Sequence, residues 1–420
     1  MPPQSLDHVA VVGASLAGLR ACETLRTEGY GGRITLIGAE PELPYDRPPL
    51  SKKLLAGDWE PDRIRLRRDE ELDKLALELR LGVAATALDA SSRAIALADG
   101  SEVAADAVVV ATGAAPRRLP HQRDLDGVVT LRTLADALEL RARLAGGSAR
   151  VVVVGAGFIG LEVAATARTL GCEVTVVEAD AAPLVRGLGA ELGALVAAVH
   201  PRHGVVLRCG QLVEALEGDG GRVTGVRLGG GELLAADVVV VGIGVAPSTD
   251  WLATSALTIA DGIVCDDALW TGVHGIWAAG DCVRWHNPLF DPHDDAVMRV
   301  EHWTNAAEQG ATAARNLLAW ARGEEPTPYR AVPFFWSDQF DSRIQFVGRA
   351  HGGDDVRIVA GDPEAGRFVA LYGYEGRLRG ALGVSTPKLV MPYRALVARG
   401  ATWDEALEHA AAAAPVTGPA

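Results

Sequence analysis

The stretch that most constrains this chain is Arg150 to Asp180, RVVVVGAGFIGLEVAATARTLGCEVTVVEAD. Its valines, Val151 to Val154, predict a parallel strand buried on both faces. Gly155-x-Gly157-x-x-Gly160 follows at once, then an apolar-periodic helix over 158–170, a stop at Gly171, and a second strand over 173–177 that ends on Glu178. In such a unit the first glycine makes a tight turn and the second lets a pyrophosphate approach the backbone. The third lets helix and strand pack closely. The helix start offers free N–H groups and a positive dipole end, so Phe158 and Ile159 join the glycines as candidate cofactor contacts. Glu178 lies 23 residues past Gly155. A carboxylate there accepts from both ribose hydroxyls and repels a 2′-phosphate, which predicts NADH rather than NADPH.

A weaker copy of the unit opens the chain. His8–Val12 reads as a strand and 16–28 as a helix, with Gly13-Ala-Ser15-Leu16-Ala17-Gly18 between them. Serine takes the place of the middle glycine. Arg33–Ile37 gives the next strand, and Glu40, 27 residues past Gly13, is the nearest acid. Two such units imply two dinucleotides.

The two units echo each other further along. Ala105–Gly113 (ADAVVVATG) is matched by Ala236–Gly244 (ADVVVVGIG). The second unit therefore reads as an insertion into the first domain. The expected organisation is α/β: two Rossmann-like dinucleotide-binding domains of the glutathione-reductase-like type plus a C-terminal α+β domain. The first domain is discontinuous over 1–115 and 245–325, the second covers 116–244, and the third covers 326–420. A chain of 420 residues is too long for one core.

Between these elements lie other candidates. The proline-rich run from Leu43 to Lys53, with Arg47 and Lys52, reads as a stiff loop that positions a cation or as a plain rigid connection with solvated lysines. Ala111-Thr112-Gly113 ends a strand, either as a plain tight turn or where the backbone passes close to a ligand. Gly280-Asp281 ends a short buried strand, and its carboxylate can accept from sugar-chain hydroxyls. Val300-Glu301-His302-Trp303 begins a helix that runs to about Trp320, with His302 expected to be structural. A helix is expected over 131–144, another over 388–399 with an extension at 402–412, and a loose tail beyond. Arg63, Arg65, Arg67 and Arg68 form a basic cluster, read as a solvated face or a docking patch for an acidic partner.

Bulk properties narrow the function. The net charge of −14 disfavours nucleic acid. Cys22, Cys172, Cys209, Cys265 and Cys282 show no CxxC and no metal spacing, which suggests a reducing compartment. No signal peptide is legible and no apolar run approaches the ~20 residues needed to cross a bilayer, so a cytoplasmic protein without a membrane partner is expected.

With GASLAG, PYDRPPLSK, ATGAAPR, GAGFIGLE, AAGDC, EHWTNAAEQG and FFWSDQFDSRIQ in that order, the chain resembles the FAD-dependent, NADH-utilising ferredoxin reductases. These serve bacterial cytochrome P450s and aromatic-ring dioxygenases. The resemblance implies FAD on Gly13–Gly18, NADH on Gly155–Gly160, and a 2Fe–2S ferredoxin as electron acceptor. It places Lys52 near flavin N5, paired with Glu162. Arg132, Asp281, Val300, Glu301 and Trp303 match flavin-binding positions, and Ala85 matches a backbone contact on the adenine side. Arg47, Arg186 and Gly244 complete the expected cofactor contacts. Where relatives carry an aspartate, this chain has Ala39, with Glu40 as the substitute. Trp336 is a candidate for the flavin edge or for core packing. Two other readings stand beside this one. A disulfide- or peroxide-reducing flavoenzyme of the same fold would need a redox cysteine at the flavin. An NADH-sensitive flavoprotein binding module would need no turnover.

Overall fold

The computed structural model describes residues 6–120, 122–290 and 296–413; the tail expected to be loose lies outside them from residue 414. The chain divides into two units. One comprises residues 1–46, 62–115 and 246–333, the other 47–61, 116–245 and 334–420.

The first unit is built on a five-stranded parallel sheet. Its order is Ile276–Ala278, Ala107–Val110, His8–Val12, Arg33–Gly38, Leu77–Leu81. His8–Val12 lies at the centre and is buried on both faces, as its unbroken apolar run requires. The helices Leu16–Thr27 and Trp303–Arg322 pack on one another. Gly310 makes this close approach possible, because a methyl there would sit 2.2 Å from the Ala17 carbonyl oxygen. A small antiparallel sheet, Ala85–Asp89, Ala94–Leu97 and Glu102–Ala104, completes the unit with the strands around residue 285.

The second unit repeats the plan. Its parallel sheet runs Val206–Arg208, Glu173–Val177, Arg150–Val154, Val238–Val241, Val128–Val129. The helix Phe158–Thr169 covers it. A five-stranded antiparallel sheet belongs to the same unit, in the order Phe334–Gln339, Ser342–Gly348, Arg377–Val384, Arg367–Tyr374, Asp355–Asp362. Its core is continuous with that of the parallel sheet: Leu161, Val163 and Leu188 share a buried cluster with Phe346, Phe368 and Tyr372. The segment 47–61 also lies here, with Leu55 buried in that cluster.

The structure corrects several sequence expectations. The helix expected from 131 starts at Leu134, because Thr133 caps it: its hydroxyl accepts from the Asp136 N–H at 3.1 Å, and the Asp136 carboxylate returns the bond to Thr133. Arg132 therefore stands outside the helix. The helix expected from Val300 starts at Trp303, leaving Val300, Glu301 and His302 as an extended approach. The helix expected over 388–399 is two short ones, Pro387–Val390 and Pro392–Ala398, since Pro392 cannot donate the hydrogen bond that would join them. The proline-rich run is not wholly irregular, for Pro48–Ser51 forms a 3-10 turn with proline in its first positions. Trp403–Ala413 is helical as the sequence suggests.

Candidate functional site

Both glycine-rich turns sit where a parallel sheet presents its carboxyl ends, the usual place for ligands in such folds. They are built alike. The Gly13 N–H donates to the Ile37 carbonyl at 2.8 Å, and the Gly155 N–H donates to Val177 at 2.7 Å. A methyl on Gly13 would meet the Ala111 carbonyl oxygen at 2.1 Å, and one on Gly155 would meet that of Gly242 at 2.3 Å. The sequence echo between ATG and GIG thus has a mechanical basis, since each supplies the backbone that presses on the first glycine. The third glycines, Gly18 and Gly160, face the carbonyls of the first ones at 1.9 and 2.2 Å by the same measure. The middle position differs, because a methyl on Gly157 meets nothing within 4 Å. That open space explains why Ser15 is tolerated in the first turn.

Neither helix start is capped from within. Ser15 and Gly157 make no side-chain cap bond, and the first turns of Leu16–Thr27 and Phe158–Thr169 carry no acid. Two sets of backbone N–H groups therefore lack internal partners and suit phosphate oxygens. Beside the first turn, the Gln309 side-chain carbonyl accepts from the Gly280 N–H at 2.8 Å, while its amide nitrogen is buried without a hydrogen-bond partner. A buried donor of this kind is satisfied when an oxygen-rich ligand fills the site.

The first unit gathers Gly13, Ser15, Leu16, Ala17 and Gly18 with the other strand ends. Glu40 follows Arg33–Gly38 and its carboxylate accepts from the Tyr45 hydroxyl. Ala85 follows Leu77–Leu81 through a segment tied back by Gly82 N–H to Glu40 and Val83 N–H to Gly38. Ala111, Thr112 and Gly113 end the strand Ala107–Val110, with the Thr112 hydroxyl on the Ser248 carbonyl at 2.8 Å. Gly280 and Asp281 follow Ile276–Ala278, and a methyl on Gly280 would lie 3.1 Å from Ala17 Cβ. Arg299, largely buried, ties the last pieces together: it pairs with Glu301 and donates to the Asp281 carbonyl at 3.4 Å. Val300 is buried between them in sequence, and Trp303 Nε1 donates to Asp46 at 2.7 Å.

In the second unit Glu178 does more than its spacing suggested. It accepts from the Ala156 N–H at 2.6 Å and from the Asp180 N–H at 2.9 Å, which pins the acid to the glycine turn. Each of its oxygens retains a further lone pair for a sugar hydroxyl. Arg186 lies against Gly244, its guanidinium 3.3 Å from where a methyl on that glycine would be. Ile159 is 49% exposed at the helix start. The Phe158 ring instead packs edge-on against Phe335, centroids 4.7 Å apart, so its side chain serves the core and only its backbone faces the turn. Trp336 stands beside Phe334, centroids 6.2 Å apart.

The same unit holds a second group. Lys52 Nζ lies 2.6 Å from Glu162 Oε2, with Lys52 17% exposed and Glu162 only 2%. The Ser51 hydroxyl donates to the same oxygen at 2.5 Å and that of Ser337 to the other at 2.6 Å. Thr166, one helical turn past Glu162, donates to the Ser51 carbonyl at 2.8 Å. Helix Phe158–Thr169 therefore grips the end of the Pro48–Ser51 turn at two points. Arg47 donates to the Arg132 carbonyl, and the Arg132 N–H donates to Asp136 at 2.9 Å. Ser51, Ser337 and Thr166 escaped the sequence reading. The signal for Ser337 was present in Ser337-x-Gln339, two polar residues on the strand face that begins with Phe335.

Three arginines of the basic cluster are paired with acids, as a solvated face would have them. Arg65 pairs with Asp62 at 2.9 Å and Asp69 at 3.1 Å, Arg67 with Glu23 at 2.6 Å, and Arg68 with Glu71 at 3.6 Å. The cysteines are all free. Burial pushes the thiol of Cys22 up to about 12 and that of Cys282 up to about 11. Neither supplies the thiolate a disulfide-reducing site requires. His302 is partly buried and held neutral, its imidazole lowered to about 4 by loss of solvent. Among the described residues no helix is long and apolar enough to cross a membrane, and no cluster of His, Cys, Asp or Glu could hold a metal.

Two uncapped glycine-rich turns at the ends of two parallel sheets define an oxidoreductase of the two-dinucleotide class. The chain belongs to the pyridine nucleotide-disulphide oxidoreductase family, whose pattern matches residues 7–310, and a reductase C-terminal pattern matches residues 334–415. FAD and NAD(H) are its two dinucleotides. Among its relatives is the rhodocoxin reductase of Rhodococcus erythropolis, 38% identical over 391 residues, which covers 93% of this chain and 89% of that protein. Another is the anthranilate 1,2-dioxygenase system ferredoxin–NAD(+) reductase component of Burkholderia cepacia, 38% identical over 403 residues, covering 95% and 96%. The covalent putidaredoxin reductase–putidaredoxin complex contains a chain that superposes with a TM-score of 0.89 at 31% identity, over 97% of this chain and 98% of that one.

Proposed function

We propose that this protein is a cytoplasmic NADH-dependent ferredoxin reductase. It draws electrons from NADH through FAD and delivers them to a 2Fe–2S ferredoxin that serves a cytochrome P450 or a ring-hydroxylating dioxygenase. The observation that carries this reading is similarity over 93% to 97% of the chain, C-terminal sheet included, to proteins named as rhodocoxin, ferredoxin–NAD(+) and putidaredoxin reductases. The buried, high-pKa cysteines support it against the disulfide-reducing alternative.

Bound FAD supplies the chemistry that joins a two-electron hydride donor to a one-electron acceptor. The residues of this chain supply position and charge. In this reading the Leu16–Thr27 helix start, with Gly13, Ser15 and Gly18, takes the FAD pyrophosphate, and Glu40 takes the adenosine ribose. Ala85 and Ala111–Gly113 line its path, while Asp281, Val300, Glu301 and Trp303, with Arg47 and Arg132, receive the flavin end. Gly155–Gly160, Glu178, Arg186 and Gly244 take NADH. The Lys52 ammonium, fixed by Glu162, stabilises the negative charge that reduction brings, a preorganised electrostatic role. No side chain is required as a nucleophile.

The test is direct. The purified protein is expected to carry FAD and to reduce one or more members of a panel of 2Fe–2S ferredoxins at the expense of NADH. Flavin reduction by NADH without transfer to any ferredoxin would favour the binding-module reading instead.

A further inference from the structure

The Ser337 hydroxyl is fully buried on the first strand of the C-terminal sheet and donates to Glu162 Oε1 at 2.6 Å. Its own oxygen accepts from Gln339 Nε2 at 3.1 Å, which leaves the hydroxyl hydrogen for the carboxylate. The Gln339 carbonyl oxygen lies 2.9 Å from His200 Nε2. A carbonyl oxygen only accepts, so Nε2 carries the imidazole proton. His200 Nδ1 is buried without a partner, as an unprotonated nitrogen in an apolar surrounding would be. Burial also lowers the pKa of this histidine and keeps the ring neutral. Each donor in the series from His200 through Gln339 and Ser337 to Glu162 is thereby fixed in direction. The three contributing residues are fully buried, and none belongs to a glycine-rich turn.

We propose that Ser337, oriented by Gln339 and His200, is a positioning residue for Lys52. It locks the Glu162 carboxylate in the orientation that holds the Lys52 ammonium. Ser51 and Lys52 both use Oε2, and Ser337 alone among the hydrogen bonds described uses Oε1. The last torsion of a glutamate is broad and holds no orientation by itself. With no donor on Oε1, a buried oxygen goes unsatisfied, and the carboxylate turns or shifts to recover a partner. Lys52 then loses a counter-charge of fixed position. The C-terminal module in this way enters the site without needing contact with either dinucleotide. The inference rests on the role given to Lys52 above.

The test reads the Lys52 amine itself. In the FAD-loaded protein, acylation by an activated acetyl ester is followed at each lysine by peptide mass spectrometry, with Lys53, Lys74 and Lys388 as internal references. Ser337→Ala is expected to raise the Lys52 rate at least about threefold, the lower end of the net worth of one intramolecular hydrogen bond, while the references hold. Ser337→Thr retains the hydroxyl on a residue suited to a strand and is expected to return the rate toward wild type. In a Glu162→Gln background, Ser337→Ala is expected to add nothing. Equal Lys52 rates in wild type and Ser337→Ala overturn the proposal. So does a rise that persists undiminished in the Glu162→Gln background. Should Ser337→Ala not yield folded protein, Gln339→Met removes the donor that orients the hydroxyl and carries the same expectation, and unchanged labelling there overturns the proposal equally. Stopped-flow reduction of a Lys52→Met variant tests the catalytic reading separately, so either result can fail alone.

Discussion

Lys52 and Glu162 stand 110 residues apart in the chain and meet at 2.6 Å, the lysine at the end of a proline-stiffened turn and the glutamate inside the helix that starts at Phe158. Lys52→Met is expected to slow flavin reduction by NADH about a hundredfold, the scale of one lost preorganised donor, while FAD stays bound. It also leaves a buried carboxylate without its cation, at a cost of about 3 kcal/mol. The double variant Lys52→Met with Glu162→Leu is expected to recover part of that stability and none of the rate. Stopped-flow absorbance and urea unfolding check the two halves, and a wild-type reduction rate removes Lys52 from the reaction.

Glu178 is tied to the glycine turn by its bonds to Ala156 and Asp180, so it cannot swing aside for a 2′-phosphate without breaking them. NADH is expected to exceed NADPH in kcat/KM by about tenfold or more, since a carboxylate and a phosphate a few ångströms apart repel by kilocalories. Glu178→Ser is expected to narrow the ratio. Equal kcat/KM for the two donors in the wild type would sink the assignment.

The glycines of one turn are expected to respond differently. Gly155 has φ +104° and no room beside Gly242, so Gly155→Ala is expected to cost about 3 kcal/mol or more. Gly157→Ala enters open space and is expected to change stability by less than about 1 kcal/mol while weakening NADH binding. Thermal unfolding and NADH titration of the two variants separate these outcomes.

Thiol chemistry offers a clean contrast. With the Cys22 and Cys282 thiols at about 12 and about 11, alkylation of the native protein at neutral pH is expected to spare both and to mark the partly exposed Cys209 first. Cys282→Ala is expected to retain ferredoxin reduction. A long-wavelength thiolate–flavin absorbance on partial reduction would restore the disulfide-reducing reading.

His302 makes folding sensitive to mild acid. Its imidazole titrates near 4 when folded and near ~6.5 when unfolded, so the unfolded chain takes the proton first. The contribution is complete above the unfolded value and is lost as pH falls toward the folded one. Between pH 7 and pH 5 the loss is about 2 kcal/mol. His8 and His200 shift in the same direction. Urea unfolding of His302→Gln across this range is expected to show a shallower slope than wild type.

The parts of the fold legible in the sequence were those set by short-range pattern. Valine runs and glycine spacing located both turns, and the echo of ATG in GIG marked the repeat without revealing that each presses on Gly13 or Gly155. Helix starts were less legible, because Thr133 and Asp136 form their cap through two hydrogen bonds that a periodicity count does not register. The partners of the arginine cluster were illegible for a related reason. Its neutralising partners include Glu23, 44 residues before Arg67 in sequence, and no local composition reveals that pair. Ser337 and Gln339 were visible as residues, but their meaning depended on which carboxylate the strand would face.

That last dependence sets a limit on domain grafting. Residues 334–415 match a pattern of their own and look exchangeable, as if a donor from any relative could be spliced on just before Phe334. A splice of that kind also replaces the hydroxyl that meets Glu162. A chimera whose incoming strand lacks it would keep both nucleotide-binding halves intact and still inherit a defect in the lysine 285 residues upstream of Ser337. The safe unit of exchange is therefore the C-terminal sheet together with the Pro48–Ser51 turn, Lys52 and the helix that begins at Phe158, three pieces of chain that have to be carried across as one.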